Sequence, residues 1–353
     1  MQKAISALDA EIIVIDNNSP DDSCAMVQER YPEIRLIKNK NNVGFAKANN
    51  QGVDMAQGKY ICILNPDTVV AEDTFVKILK TYEELPDVGM LGPKLISGTG
   101  RFHPESKRNI PSPLTSFGRL FRIRIGRVKN YYADHIPSNG IGDVDILVGA
   151  FILVSKEKYQ SVQGFDEDYF MYGEDIDLSY KMKKKGLQNY YIGNVPVIHY
   201  KGESTDRNAE YIKRFYGAMR MFYRKHFRSN SLLDISVSVG IGVISIVKSF
   251  EKSKKITKNV DGYYLVSENL KLREKISKKI KKDIQIIDLE CINDLGDNNI
   301  ELIFDNDYLT YGEMIRKMQS LKKSNLTFKI RPKGCDYMLG SDSSDGKGEV
   351  ICF

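Results

Sequence analysis

Residues 11–16 read EIIVID, a continuous apolar run rich in β-branched residues that ends on a carboxylate. NNSPDD (17–22) breaks it, CAMVQERY (24–31) places apolar residues at helical spacing, and IRLIKN (34–39) is a second strand-like run. NNVGFAKANNQGVDMAQG (41–58) then reads as a helix opened by glycine, and KYICILNPDTVV (59–70) as a third strand running into a polar turn. Strands alternating with helices of about 10 to 15 residues indicate parallel α/β units. Ligands of such sheets collect at the carboxyl ends of the strands. Asp16-Asn17-Asn18 and Asn65-Pro66-Asp67 lie at those ends.

Outward from this stretch the pattern continues. Residues 97–143 are rich in Gly, Pro and Arg with weak periodicity, which predicts a long loop region. DVDILVGAFILVSKE (143–157) returns to strand character, and residues 164–186 form a loop feeding a helix that ends near Gly186. Residues 189–205 read as two short strands divided by Gly193-Asn194 and Pro196. The apolar stretch 232–247 carries Asp234 and falls short of the about 20 residues a spanning helix needs. Flanked by Arg224, Lys225 and Arg228 on one side and Lys248, Lys252, Lys254 and Lys255 on the other, it reads as a membrane-interfacial segment or as an element buried against its neighbour. From residue 259 the alternation restarts, with strand-like 263–267, 284–290, 300–306 and 326–332 and helical 272–282 and 311–323. The expected organisation is a domain over 1–228, an apolar and basic linker over 229–258, and a small α/β domain over 259–353.

Composition fits that reading. A chain of 353 residues with 42% hydrophobic and 28% charged residues can bury two cores, which excludes a disordered chain and a multi-span membrane protein. Net charge is +6, too balanced for a dedicated nucleic-acid binder. Five scattered cysteines without a C-x-x-C pair argue against a disulfide framework and for a reducing compartment, and residues 1–19 lack the pattern of a secretory leader. The expected location is the cytoplasm, with peripheral contact at the inner face of the plasma membrane.

The chain lacks a G-x-S-x-G elbow, a P-loop and an H-E-x-x-H motif. What remains is a set of carboxylates at strand ends and one histidine. Asp16 could accept a hydrogen bond from a pyrimidine imide, or simply cap its strand end in an Asx turn. Asp67 is the type of oxygen ligand that Mg²⁺ or Mn²⁺ takes when it also binds substrate phosphates, and His199 would suit the softer Mn²⁺. Glu174 and Asp175 open a helix, where they either complement its dipole or supply a general base. His103, Glu105, Ser106 and Arg108 fall in the long loop, as acceptor or lid contacts or as ordinary loop polarity. Arg119, Arg122, Arg124, Arg127 and Lys129 could face a lipid diphosphate or a membrane, or form a solvated face.

Six segments in this order and spacing, IIVIDNNS, NNVGFAKANNQG, LNPDT, VGAFILV, GFDEDYFMYGEDIDLSYK and VIHYKGEST, strongly resemble family 2 glycosyltransferases, in particular the bacterial rhamnosyltransferase-like branch. The resemblance covers residues 1–228. It implies a GT-A fold, with a mixed, mainly parallel sheet and helices on both faces, and inverting transfer from a nucleotide sugar such as a dTDP- or UDP-sugar. The acceptor it implies is a glycan or lipid-linked glycan of cell-surface polysaccharide synthesis. Carried over by position, Asp16 would meet the base, Asn42 and Gly44 would line the nucleotide pocket, and Gly149 and Ala150 would lie under the donor sugar. Asp67 and His199 would hold a divalent metal, with Asn65 standing where the family's Asp-x-Asp has its first ligand. Asp175, paired with Glu174, would be the catalytic base. Relatives begin with a further central strand before the helix with which this chain starts, so the resemblance implies a sheet one strand short. The second domain more weakly resembles a Rossmann-like appendage, with no ligand assigned. Two other classes compete: a sugar nucleotidyltransferase, in which Glu174, Asp175, Gly149 and Ala150 would have no role, and a truncated, non-catalytic binding protein of a polysaccharide assembly.

Overall fold

The computed structural model describes residues 1–110, 131–201, 209–227, 260–295, 299–321, 325–343 and 348–353. The expected linker, with its apolar stretch 232–247, and the basic run Arg119–Lys129 lie outside the described residues. A one-turn helix α1 (Gln2–Ile5) leads into β1 (Ile13–Asp16), α2 (Ser23–Arg30), β2 (Arg35–Lys38) and α3 (Phe45–Met55). β1 and β2 pair in parallel, Ile13 opposite Arg35 through Asp16 opposite Lys38, and form a two-stranded sheet of their own.

The second sheet is built from β3 (Tyr60–Leu64), β4 (Thr68–Val69), β5 (Val88–Ile96), β6 (Ile141–Val144), β7 (Phe151–Ser155) and β8 (Gln188–His199), in the order β3-β7-β5-β8-β4 with β6 also on β8. Helices α4 (Thr74–Glu84), α5 (Lys156–Ser161), α6 (Glu174–Lys184) and α7 (Ala209–His226) complete this part. The sheet is mixed. β5 and β8 run parallel, as strand–helix alternation predicts, whereas β7 enters antiparallel between β3 and β5.

All nine residues of β5 are buried, so its apolar run is continuous rather than alternating. Gly92 and Pro93 interrupt that run for packing reasons. A Cβ at Gly92 would come within 2.7 Å of the Leu147 side chain, and Pro93 stands at a register shift where a missing N–H costs no ladder bond. On the opposite strand the shift skips from Ile192 to Pro196, and the Gly193 N–H donates to Gly140 O at 2.9 Å. Residues 188–199 are therefore one bulged strand, not two, because β5 pairs on both sides of the bulge.

The described residues of 97–110 also depart from expectation. Ser97, His103, Ser106, Lys107, Arg108 and Asn109 are buried, and Arg108 exchanges backbone hydrogen bonds with Ile146 at 3.1 and 2.9 Å. A segment that lacks periodicity can still be interior when its partners come from elsewhere in the chain.

The C-terminal sheet joins β9 (Gly262–Val266), β10 (Ile284–Ile286), β11 (Ile300–Asp305), β12 (Leu326–Arg331), β13 (Tyr337–Ser341) and β14 (Glu349–Cys352) in the order β10-β9-β11-β12-β13-β14. The first four are parallel and connect through α8 (Leu270–Ile280) and α9 (Tyr311–Ser320); β13 and β14 add antiparallel strands. Thr310 and Glu313 close a capping box at the start of α9. The Glu72 carboxylate accepts from the Tyr311 and Gly312 N–H groups at 2.8 and 3.0 Å. Ala71, Ile96, Ile198 and Tyr200 share one core with Leu302, Phe304, Met314, Ile315 and Met318. Each such burial is worth about 1.5–3 kcal/mol, so the two units meet through a core rather than a loose contact. Ile198 and Tyr200, which flank His199, are thus anchored in that junction.

Candidate active site

Three groups of candidate residues form at the strand ends. In the first, Asp16 ends β1 and its carboxylate accepts from the Ser19 N–H at 3.2 Å; hydrogen bonding to Ser19 holds its pKa below the usual carboxylate range. This is the Asx-type turn, and it leaves the acidic group half-buried at the sheet edge. Asn17, which sequence reasoning passed over, does the joining. Its side chain donates to Asn42 Oδ1 at 2.9 Å and Gly44 O at 3.2 Å, and accepts from the Val43 N–H at 3.0 Å. Gly44 sits at φ 89° with Phe170 O only 2.6 Å from where a Cβ would stand, so only glycine admits this approach. The Phe45 N–H completes the junction by donating to Phe170 O at 2.8 Å.

The second group is Asp67 with His199. Antiparallel pairing sets Thr68 opposite His199, the Tyr200 N–H donates to Asp67 O at 2.9 Å, and His199 Nε2 lies 3.3 Å from Asp67 Oδ1. Asp67 Oδ1 and His199 Nδ1 are buried without a hydrogen-bond partner. Orphaned buried donors of this chemistry fit a divalent cation. Among the described residues no third His, Cys, Asp or Glu joins them, so a cation held here would have two side-chain ligands and an otherwise open shell. His103 packs edge-on to His199 with its Nε2 3.3 Å from His199 O, and burial keeps its pKa well below the usual imidazole range. Glu105 is half-buried and ion-paired with Lys201 at 3.0 Å, which sets it beside this group.

The third group lies at the start of α6. Gly173, left-handed at φ 85°, turns the chain into the helix, and Glu174, Asp175 and Asp177 occupy its first turn. Asp175 Oδ1 accepts from the Ile176 N–H at 2.8 Å, while Oδ2 accepts from Arg108 Nη2 at 2.6 Å and the Gly149 N–H at 3.2 Å. Glu174 Oε2 is buried without a partner, and burial beside the Asp175 charge pushes the Glu174 pKa up to about 8. Asp177 turns inward to Lys181 and His226, a structural pairing. Arg108 stands opposite its expected place. Only 6% exposed, it is an internal partner of Asp175 rather than an acceptor or lid contact, because the 107–110 backbone is hydrogen-bonded into the interior.

The groups are linked through residues 149–150. Gly149 donates to Asp175, and Ala150 O accepts from the Asn65 N–H at 3.0 Å at the end of β3. A Cβ on Gly149 would lie 3.5 Å from the Asp175 Cβ and 3.7 Å from the Phe45 ring. A cavity of about 450 Å³ opens between residues 168–171 and α7, against the loop that delivers Glu174. Neither Asn17 nor Tyr131, whose hydroxyl accepts from Arg108 Nη1 at 3.4 Å, carried a signal in the sequence beyond its polarity.

Comparisons with known proteins identify the family. The family model described as glycosyl transferase family 2 matches residues 2–159. Rhamnosyltransferase WbbL of Escherichia coli (strain K12) is 30% identical over 247 residues, covering 65% of this chain and 88% of that protein. The N-acetylglucosaminyl-diphospho-decaprenol L-rhamnosyltransferase of Mycobacterium tuberculosis is 29% identical over 213 residues, covering 56% of this chain and 68% of its own length. With a family model over residues 2–159 and homology spanning most of a relative's length, the chain belongs to glycosyl transferase family 2 and is a hexosyltransferase-type enzyme.

Proposed function

We propose that the chain moves a sugar, with inversion, from a nucleotide-diphosphate donor to a glycan or lipid-linked acceptor of cell-surface polysaccharide synthesis. The donor is a dTDP- or UDP-sugar, and rhamnose is favoured by the names of two relatives. The observation that carries this reading is the 149–150 loop, tied by backbone hydrogen bonds to Asp175 on one side and to the Asn65–Asp67 strand end on the other. Donor sugar held there has a carboxylate on one side and the ligands of a cation on the other.

The acceptor hydroxyl oxygen attacks the anomeric carbon, its proton passes to the Asp175 carboxylate, and the bond from that carbon to the diphosphate oxygen breaks. General base catalysis of this type contributes about 10²–10⁴-fold. Asp67 and His199 would hold Mg²⁺ or Mn²⁺, which as a Lewis acid neutralises charge on the departing diphosphate. Asp16, Asn42 and Gly44 hold the base and ribose end, with Asn17 fixing that loop. The domain over 259–353 docks on the strand of His199 and takes no step in the transfer. No helix among the described residues is long and apolar enough to cross a membrane; the chain acts in the cytoplasm, with peripheral contact at the inner membrane face where a lipid-linked acceptor is presented. Nucleic acid is not a partner.

The test is release of nucleoside diphosphate from dTDP-rhamnose, and from a panel of UDP-sugars, with an N-acetylglucosaminyl-diphospho-lipid acceptor. Turnover that chelator abolishes and Mn²⁺ restores supports the reading, and full turnover by a folded Asp175→Asn variant overturns the base assignment. The two-stranded β1–β2 sheet favours a second reading, a non-catalytic binding protein with an open nucleotide edge. Calorimetry with UDP or dTDP separates the two, because the binding protein shows no metal-dependent affinity.

A further inference from the structure

Arg108 carries a full charge into the interior, and the transfer chemistry above leaves it without a task. Its Nη2 donates both to Asp175 Oδ2 at 2.6 Å and to Leu147 O at 2.9 Å, and its Nη1 to the Tyr131 hydroxyl at 3.4 Å. Its own backbone is fixed by the two hydrogen bonds to Ile146. The guanidinium therefore touches the base on one side and the start of the 147–150 donor loop on the other. Desolvating such a cation is costly unless partners take its protons; here the Asp175 carboxylate, the Leu147 carbonyl and the Tyr131 hydroxyl accept from its two Nη groups, and Nε is left without a partner.

Around Asp175 the consequence is geometric. Oδ2 is occupied by Arg108 and the Gly149 N–H, and Oδ1 accepts only the Ile176 N–H. A carboxylate oxygen has two lone pairs, so the Oδ1 edge keeps the capacity to take a proton while the other edge is pinned. Without Arg108, Asp175 would be a buried anion beside the unpartnered Glu174 Oε2, with nothing to set its rotation but two backbone amides.

On the transferase reading just given, we infer that Arg108 is a positioning residue, which orients the Asp175 carboxylate and locks it to the donor-sugar loop through Leu147. It touches neither donor nor acceptor. Its effect therefore passes through Asp175, which a double-mutant cycle can read.

The experiment measures kcat and donor KM with dTDP-rhamnose, or whichever UDP-sugar the panel selects, for Arg108→Gln and Arg108→Lys, alone and in an Asp175→Asn background. Arg108→Gln is expected to lower kcat about 10²-fold with donor KM within about twofold, and Arg108→Lys to recover about tenfold of the loss. In the Asp175→Asn background the same substitution should change the residual rate by less than about threefold, since the residue through which it acts is gone. Equal losses in both backgrounds, or a loss confined to KM, would overturn the proposal. If Arg108→Gln does not fold, by near-UV circular dichroism and UDP or dTDP affinity, the cycle is read with Arg108→Lys, whose smaller loss must also vanish beside Asp175→Asn. An active wild type with additive losses removes this proposal alone, while a wild type inert toward every donor removes the transferase reading and this proposal together.

Discussion

Two buried Arg–Asp pairs sit at the ends of strands or helices in the two halves of the molecule, and they are built differently. In the C-terminal sheet, Arg331 ends β12 and meets Asp305, which ends β11, at 3.0 Å; it also pairs with Asp307. Asp305 Oδ2 accepts from the Ser267 hydroxyl at 2.7 Å and Oδ1 from the Asp307 N–H at 3.0 Å, and Arg331 Nε donates to Cys335 O at 2.7 Å. That network is closed. In the catalytic unit, Arg108 meets Asp175 at 2.6 Å, yet next to the pair stand the unpartnered Glu174 Oε2 and the unpartnered Arg108 Nε. The first pattern satisfies the polar atoms at its strand ends; the second leaves polar capacity unspent. A buried ion pair alone does not mark a catalytic centre; unsatisfied polar atoms next to one make it a candidate.

Five outcomes would break or sharpen that contrast. Asp175→Asn should reduce transfer by the folded enzyme about 10²–10⁴-fold in a steady-state assay, and because it leaves the buried Arg108 cation without its carboxylate it should also lower the melting temperature in calorimetry. Arg331→Met should cost only stability, about 3–5 kcal/mol by urea denaturation, while kcat of the folded fraction stays at the wild-type value. If Arg331→Met instead lost activity without losing stability, the distinction between open and closed pairs would fail. Asp67→Ala and His199→Ala should each raise the Mn²⁺ concentration needed for half-maximal activity by about 10–100-fold, with the melting temperature little changed.

The fourth outcome concerns pH. The Glu174 carboxyl is raised to about 8 by burial and by Asp175, well above its value in an unfolded chain. Its contribution to stability is complete below the ordinary glutamate range and is lost as pH rises through about 8. Melting temperature should therefore fall across that window more steeply in the wild type than in Glu174→Gln, which has no proton to lose. Parallel curves would show that Glu174 is solvated after all. The smallest effect is expected at Asp16, where Asp16→Asn should weaken UDP or dTDP binding by about threefold in calorimetry, since one exposed hydrogen bond is worth about 0.5–1.5 kcal/mol.

Before any coordinates the sequence already marks the candidates that make up the proposed site. Asp16, Asp67, His199 and the Glu174–Asp175 pair stand out because strands alternating with helices place carboxyl ends on one side of a sheet, and polar residues there need a reason. The C-terminal unit was legible for the same cause: its strands 263–266, 300–305 and 326–331 are apolar runs whose period survives any neighbour. Arg108 was misread, because its segment has no period, and nothing local tells a solvated arginine from one that a distant Asp175 pulls inside. The bulged strand 188–199 was divided at Gly193 and Pro196 because turn-forming residues look alike whether they end a strand or bulge it. The antiparallel entry of β7 was equally hidden, since local pattern specifies a strand but not its direction.

Burial separates what local chemistry decides from what long-range packing decides. The strand–helix alternation, the family and the acidic and histidine candidates follow from residue order, because backbone geometry and hydrophobic periodicity act over a few residues. Which carboxylate is clamped, which stays unpartnered and how the second unit grips the His199 strand depend on contacts 67 residues apart for Arg108–Asp175 and about 240 for Glu72–Gly312. Such contacts are set by the whole core closing at once, and charge in a low-dielectric interior takes its properties from whatever that closure brings beside it.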